Sequence, residues 1–295
     1  MSAVTVVCFG LVTIDHMMRV DRVPLPNEKI VASDSTIETG GPASNAAVAA
    51  SVLGSEARFV TIVGDSPLTQ YARTSIVRHG VEFIDLAHSA KGSPAVSTVL
   101  LTVSTGERAV VSTNALAAPD LVGVQPELLD GASLLLVDGH HMQAATKLAK
   151  LAQQKGIAVL FDGRSWKRGT EELLRYVDCA VVSENFVVPD VPPAQVLEHL
   201  RDLGCEAAAQ SRGEKPIRYL DSHGACEIPV SVIDAIDTLG AGDVLHGAIA
   251  HYAAHAEAGK RWLESLLPAA RIATESCRYP GAHGWIGSLH QNERA

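Results

Sequence analysis

Apolar and polar positions along the 295-residue chain fall into short β-branched runs separated by amphipathic stretches. Residues 4–9 form such a run, closed by Gly10, and predict a buried strand. Beyond it, 31–37 predicts a more exposed strand, 43–53 a helix stopped by Gly54, and 58–63 a strand. Residues 67–79 predict a helix ending at Gly80, followed by a strand over 81–86. Two β-rich runs, 95–103 and 108–112, flank the polar turn Ser104-Thr105-Gly106-Glu107 and predict a hairpin. The pattern then alternates regularly: strand 134–137, helix 144–154, strand 157–161, helix 170–176, strand 179–182, helix 194–203. Alternation of this kind builds a parallel sheet with helices on both faces. The hairpin and the segment 15–36, broken by Pro24 and Pro26, stand outside it, and no internal repeat is found.

The chain's most informative stretch is Ile236-Asp237-Thr238-Leu239-Gly240-Ala241-Gly242-Asp243-Val244-Leu245-His246-Gly247-Ala248. Leu245, Ala248, Ile249, Tyr252 and Ala253 keep the spacing of one helix face, so Gly240, Ala241 and Gly242 form a turn that opens a helix. Small residues let backbone approach a ligand closely, and unpaired amides at a helix start converge on an anion. Asp243 then lies in the first helical turn, beside the anion. An acid there is a liability unless it performs chemistry. The economical reading is a base that deprotonates a hydroxyl as it attacks a terminal phosphate, with the amides of residues 240–243 holding the developing charge.

Composition narrows this further. A formal net charge of −9 without a basic cluster argues against nucleic acid, whose binding depends on Lys and Arg. A small phosphorylated ligand held by amides has no such need. Hydrophobic residues make up 47% of the chain but aromatic ones only 4%, so Ala, Val and Leu do most of the packing. Five scattered cysteines without a CxxC suit a reduced, cytoplasmic protein. No signal peptide is evident, and no apolar stretch reaches the roughly 18–20 residues of a membrane span.

The run Asp237–Asp243 resembles the carboxy-terminal signature of ribokinase-type (PfkB) carbohydrate kinases, and Gly40-Gly41-Pro42-Ala43-Ser44-Asn45-Ala46-Ala47-Val48-Ala49 resembles their amino-terminal signature. The resemblance covers essentially the whole chain. It implies one domain over 1–295, a ribokinase-like three-layer α/β/α sandwich with a mostly parallel central sheet. A small β-sheet lid, formed by about 12–36 and 95–113, would cover the sugar and serve as a homodimer contact. The resemblance further implies ATP, Mg²⁺ and a monovalent cation such as K⁺.

By the same resemblance Asp243 is the catalytic base, served by Gly240, Ala241 and Gly242. Asp15, Gly40, Gly41 and Asn45 are expected to bind sugar hydroxyls, a carboxylate being the usual means of fixing a polyol. Asp237 is expected to support the turn. Arg108 is either a lid residue reaching a substrate oxygen or an exposed strand charge. Asp138 or His140 is expected to face the sugar from the end of a strand, where ligands of open α/β sheets gather. Arg164 and Lys167, in the donor-rich loop Asp162–Lys167, could meet a negative group on the substrate or the nucleotide phosphates. Ser211, Gly213, Thr238 and Gly281 are expected at the nucleotide, the last in a loop that resembles the one flanking adenine.

Three departures from the family pattern stand out. Thr13 replaces the Asn that ribokinase-like members often carry two residues before the sugar-binding Asp, which disfavours ribose. The usual Asn-x-x-Glu, which organises magnesium, is Ser183-Glu184-Asn185-Phe186, leaving Glu184 as the candidate carboxylate. The nucleotide loop, often Thr-Leu-Gly, is Ser211-Arg212-Gly213. His251 and His255 have metal-pair spacing but no third ligand near. The sequence therefore predicts an ATP-dependent kinase that phosphorylates a primary hydroxyl of a small sugar, nearest the ketose kinases. Ribose, a nucleoside, or a catalytically silent sugar- or nucleotide-binding protein are the alternatives.

Overall fold

The computed structural model describes residues 4–115, 118–119, 123–257 and 260–288. The chain opens with strand β1 (Thr5–Phe9), then β2 (Thr13–Val20) and β3 (Asp34–Gly40), helix α1 (Pro42–Val52), β4 (Glu56–Thr61), α2 (Pro67–Val77) and β5 (Glu82–Asp85). The expected hairpin follows as β6 (Ala95–Thr102) and β7 (Arg108–Ser112). Next come β8 (Ala132–Val137), α3 (Met142–Gln154), β9 (Ala158–Gly163), α4 (Thr170–Leu174), β10 (Cys179–Ser183) and α5 (Val196–Asp202). Strands β11 (Ala207–Arg212), β12 (Lys215–Asp221) and β13 (Gly224–Ile228) precede the last two helices, α6 (Ala241–His255) and α7 (Arg261–Ser276).

Nine strands form one sheet in the order β13-β12-β11-β10-β9-β8-β1-β4-β5, parallel from β11 to β5 and antiparallel at β12 and β13. Alternate residues of each strand feed opposite faces, as the two-residue period requires. Val6 and Cys8 pack under α1, α2, α6 and α7, whereas Val7 and Phe9 pack over α3, α4 and α5. This is a three-layer α/β/α sandwich, as expected. Helix α1 is buried from Pro42 to Ala50, and its alanines let α6 lie close against it. The approach is tightest at Gly247, where a Cβ would stand 2.3 Å from the Ala46 carbonyl oxygen.

A second sheet, β3-β2-β6-β7, pairs β2 with β6 in parallel and its other neighbours antiparallel. It corresponds to the predicted lid. From β1 the chain moves outward to β4 and β5, then returns to place β8 on β1's other side. Strand order thus reverses between β1 and β8, and a crevice opens beyond their carboxyl ends.

Candidate active site

Gly240 opens α6 in the left-handed region (φ +76°), a conformation that strains any residue with a Cβ. The turn before it is held by Asp237, whose Oδ1 accepts from the Leu239 amide (2.9 Å) and Oδ2 from the Gly281 amide (3.0 Å). Both carboxylate oxygens are therefore committed to backbone, as its expected supporting role requires. The Ala241 amide donates back to Thr238 (3.3 Å). The Gly240, Gly242 and Asp243 amides carry no acceptor among the described residues, so of the four amides expected to face an anion only that of Ala241 is taken.

Asp243 is buried, yet its carboxylate borders a cavity of about 350 Å³ beyond the β1–β8 crevice. Asn45 Nδ2 donates to Oδ2 at 2.7 Å, joining α1 to α6 across 198 positions of sequence. Arg164 Nη2 donates to Oδ1 at 2.5 Å, and the neighbouring carboxylate raises the guanidinium's pKa. Sequence reasoning had aimed Arg164 at a ligand; its direct pairing with Asp243 was not expected. Beneath them, Asp162 is fully buried and raised by desolvation, with His246 Nε2 3.5 Å from Oδ1.

The small sheet roofs the same cavity with Asp15 and Met17 from β2, Glu38 and Thr39 from β3, and Ser97 from β6. Gly40, Gly41 and Asn45 line it from the start of α1. Gly40 is required by close approach, because a Cβ there would lie 2.1 Å from Asp15 Oδ2. Burial pushes the Asp15 and Glu38 carboxyls up, and nearby acids add to it. Thr39 Oγ1 and Asn45 Oδ1 are buried with no partner among the described residues, which suits a ligand rich in hydroxyls. Among the described residues no Phe, Tyr or Trp lines this cavity. Glu38 and Thr39 carried no sequence signal, since their place depends on how β3 pairs with β2.

Asp138 does not face the cavity. Its oxygens accept from the amides of Leu11 (2.8 Å), Ala43 (3.2 Å) and His140 (2.9 Å), and from the His140 ring (3.2 Å). Burial alone would raise this carboxyl, but His140 and the amides outweigh it and hold it at about 2. Asp138 is thus a staple across the topological switch, and His140 is the residue of that loop that reaches the cavity. Arg108, exposed on β7, donates to Thr238 Oγ1 (3.3 Å), so it touches the loop before α6 and not the cavity lining.

A second cavity, about 470 Å³, lies on the other side of the α6 start. Ser211, Gly213, Thr238, Ala241 and Gly242 supply its polar rim, and Ile217, Val230, Leu245 and Ala273 its apolar wall. Gly240 and Asp243 border the first cavity, whereas Ala241 and Gly242 border the second. Gly281, expected with the nucleotide, sits on the opposite side: a Cβ there would stand 2.8 Å from Glu38 Oε2, and the adjacent Ala282 lines the first cavity. The capture of its amide by Asp237 accounts for that placement.

The model of the pfkB family carbohydrate kinases matches residues 4–285. The chain belongs to that family. The kinase is 22% identical to the ribokinase of Haemophilus influenzae over 82% of this chain and 83% of that protein. To an ATP-dependent ribose-1-phosphate kinase of Halopiger xanaduensis it is 28% identical, over 81% of each. A crystal structure of fructokinase with bound ATP from Xylella fastidiosa superposes with a TM-score of 0.80 at 18% identity, covering 99% of both chains.

The kinase's own donor set does not fit a protein-held magnesium. Glu184, expected to provide its carboxylate, pairs with Lys215 (3.3 Å) at a largely exposed position and lines neither cavity. Phe186, at the end of the altered motif, is buried against Phe161 and Trp166. Among the described residues no three His, Cys, Asp or Glu side chains converge on a metal site, and His251 instead meets Ser55 Oγ at 2.8 Å. Nor is any described helix long and apolar enough to cross a membrane.

Proposed function

We propose that the kinase transfers the terminal phosphoryl group of ATP to a primary hydroxyl of a small sugar, a ketohexose or a derivative of one, with Asp243 as base. The observation that carries this reading is the junction of two cavities at one helix start, a carboxylate on one side and unpaired amides on the other. The acceptor lies under the small sheet, its hydroxyls on Asp15, Asn45 and the strip Gly40–Gly41. ATP lies in the second cavity, its base against the apolar wall and its phosphates toward Ser211, Gly213 and the α6 amides.

Asn45 fixes Asp243 through Oδ2, leaving Oδ1 to take the proton. Arg164 is bonded to that atom and must swing off it; its charge then moves onto the phosphoryl beside Gly242. The acceptor hydroxyl loses its proton to Asp243, its oxygen forms the new P–O bond, and the bond to ADP breaks. Magnesium travels with the nucleotide, and no step here runs through it.

The absence of a stacking ring from the lining disfavours a nucleoside. The ribokinase relative keeps a pentose as the second reading, and the ribose-1-phosphate kinase shows an acceptor named as already phosphorylated. We also infer a homodimer through the small sheet, whose Ile37, Val110 and Val111 are exposed. ADP release over a panel of ketoses, pentoses and nucleosides tests the substrate reading. Turnover of a ketose above the pentoses and nucleosides is expected; nucleoside turnover alone would overturn it, and sugar binding without ADP release would support a silent homologue.

A further inference from the structure

The acceptor cavity is polarised. Asp15 and Glu38 hold the end under the small sheet, and His140 and Lys167 stand where the β8 and β9 loops meet it. At the positive end Asp138 faces the His140 ring, and Asp138 and Asp162 act on Lys167 only from beyond ion-pair distance. Arg164 pairs with Asp243 and serves the phosphoryl in the proposed transfer, whereas Lys167 has no carboxylate within ion-pair distance among the described residues. Its Nζ donates to the Gly139 carbonyl (3.1 Å) and meets His140 Nε2 (3.1 Å), while His140 Nδ1 faces Asp138 Oδ1 (3.2 Å). A ring that donates from Nδ1 to Asp138 accepts at Nε2 from the ammonium, so two of the three Lys167 protons are placed and the third is free for the cavity.

Burial lowers the Lys167 pKa and outweighs the opposite pull of the more distant Asp138 and Asp162. Such a group is compensated when an anion arrives. The nucleotide is not that anion, because neither Lys167 nor His140 borders the second cavity. Sugar hydroxyls alone do not call for a cation, since neutral donors serve them equally well.

We infer that the acceptor carries an oxyanion, a carboxylate or a phosphate, on its end away from Asp15, and that Lys167, oriented by His140, binds it. This rests on the phosphotransfer reading of the same cavity, and the test separates the two. D-fructose, a sugar acid (D-gluconate) and a sugar phosphate (fructose 1-phosphate) each offer a primary hydroxyl, and they are compared by ADP release and by calorimetry. The wild type is set beside Lys167→Met and Lys167→Arg, with melting curves as the check on folding.

One of the two charged acceptors is expected to exceed fructose in kcat/KM, and which one identifies the oxyanion. Lys167→Met is expected to cut that preference on the order of 10- to 100-fold, the worth of a hydrogen bond to a charged group, with Lys167→Arg restoring part of it. Equal preference in wild type and Lys167→Met, or fructose favoured over both charged acceptors, would overturn the inference and leave phosphotransfer standing. Should no acceptor release ADP, phosphotransfer fails, and calorimetric preference for a charged sugar, lost in Lys167→Met, decides the oxyanion alone.

Discussion

The carboxylates of Asp138 and Asp243 illustrate how surroundings assign different duties to one side chain. Asp243 keeps its oxygens on side-chain donors, Asn45 and Arg164, which can move; Asp138 gives its oxygens mostly to backbone amides, which cannot. The first arrangement suits chemistry and the second suits architecture. Asp138→Asn should therefore lower stability at pH 7 by about 2 kcal/mol, from a shift of nearly two pKa units at about 1.4 kcal/mol each. The sign follows from a depressed folded pKa: the stabilisation is present above the ordinary Asp range and is lost as pH falls through about 2. Urea unfolding of both proteins at pH 7 measures it, and an unchanged midpoint there would count against the staple. Asp243 and Asn45 were legible in the sequence because each sits in a run whose small residues have few other uses. Asp138 was legible as special but misassigned, since nothing local says whether a carboxylate at a strand end turns outward to a ligand or inward to amides.

At the scale of elements, the start of α6 is shaped by what packs on it. Helix α1 lies so close that Gly247 has no room for a side chain. Gly247→Ala should destabilise the protein by about 1–3 kcal/mol through overpacking against the Ala46 carbonyl, despite the better helix propensity of Ala. A melting curve settles the sign, and a stabilised variant would contradict the packing argument. The regular alternation from residue 134 to 203 was readable because each strand there is buried on both faces and each helix is amphipathic. The antiparallel β11–β13 extension was not read as strands: β11 is rich in Ala, and Pro216 interrupts β12. Helix α7 escaped similarly, with Pro268 inside it breaking the pattern. Strand β2 was missed because its middle residues are only half-buried and show no clean alternation.

For the whole molecule, the order of strands decides what meets what. The reversal between β1 and β8 opens the crevice, the small sheet covers it, and α6 begins on the ridge that divides the two cavities. Pairs such as Arg164 with Asp243 come from separate crossovers, so no sequence spacing announces them. The outer face of the small sheet carries exposed Val111 on its edge strand β7, a liability for a lone protomer. Val111→Asp should convert a dimer to a monomer in sedimentation velocity and raise the KM for sugar, while a wild type monomeric at high concentration would remove the dimer reading.

The central claim is that Asp243 takes the acceptor's proton where two cavities join, and Asp243→Asn addresses it directly. With a sugar that the wild type phosphorylates, kcat should fall on the order of 100- to 10,000-fold, the usual contribution of a general base. Calorimetry on the same variant should show the sugar still bound. Turnover within a few-fold of wild type in the Asn variant would contradict the account.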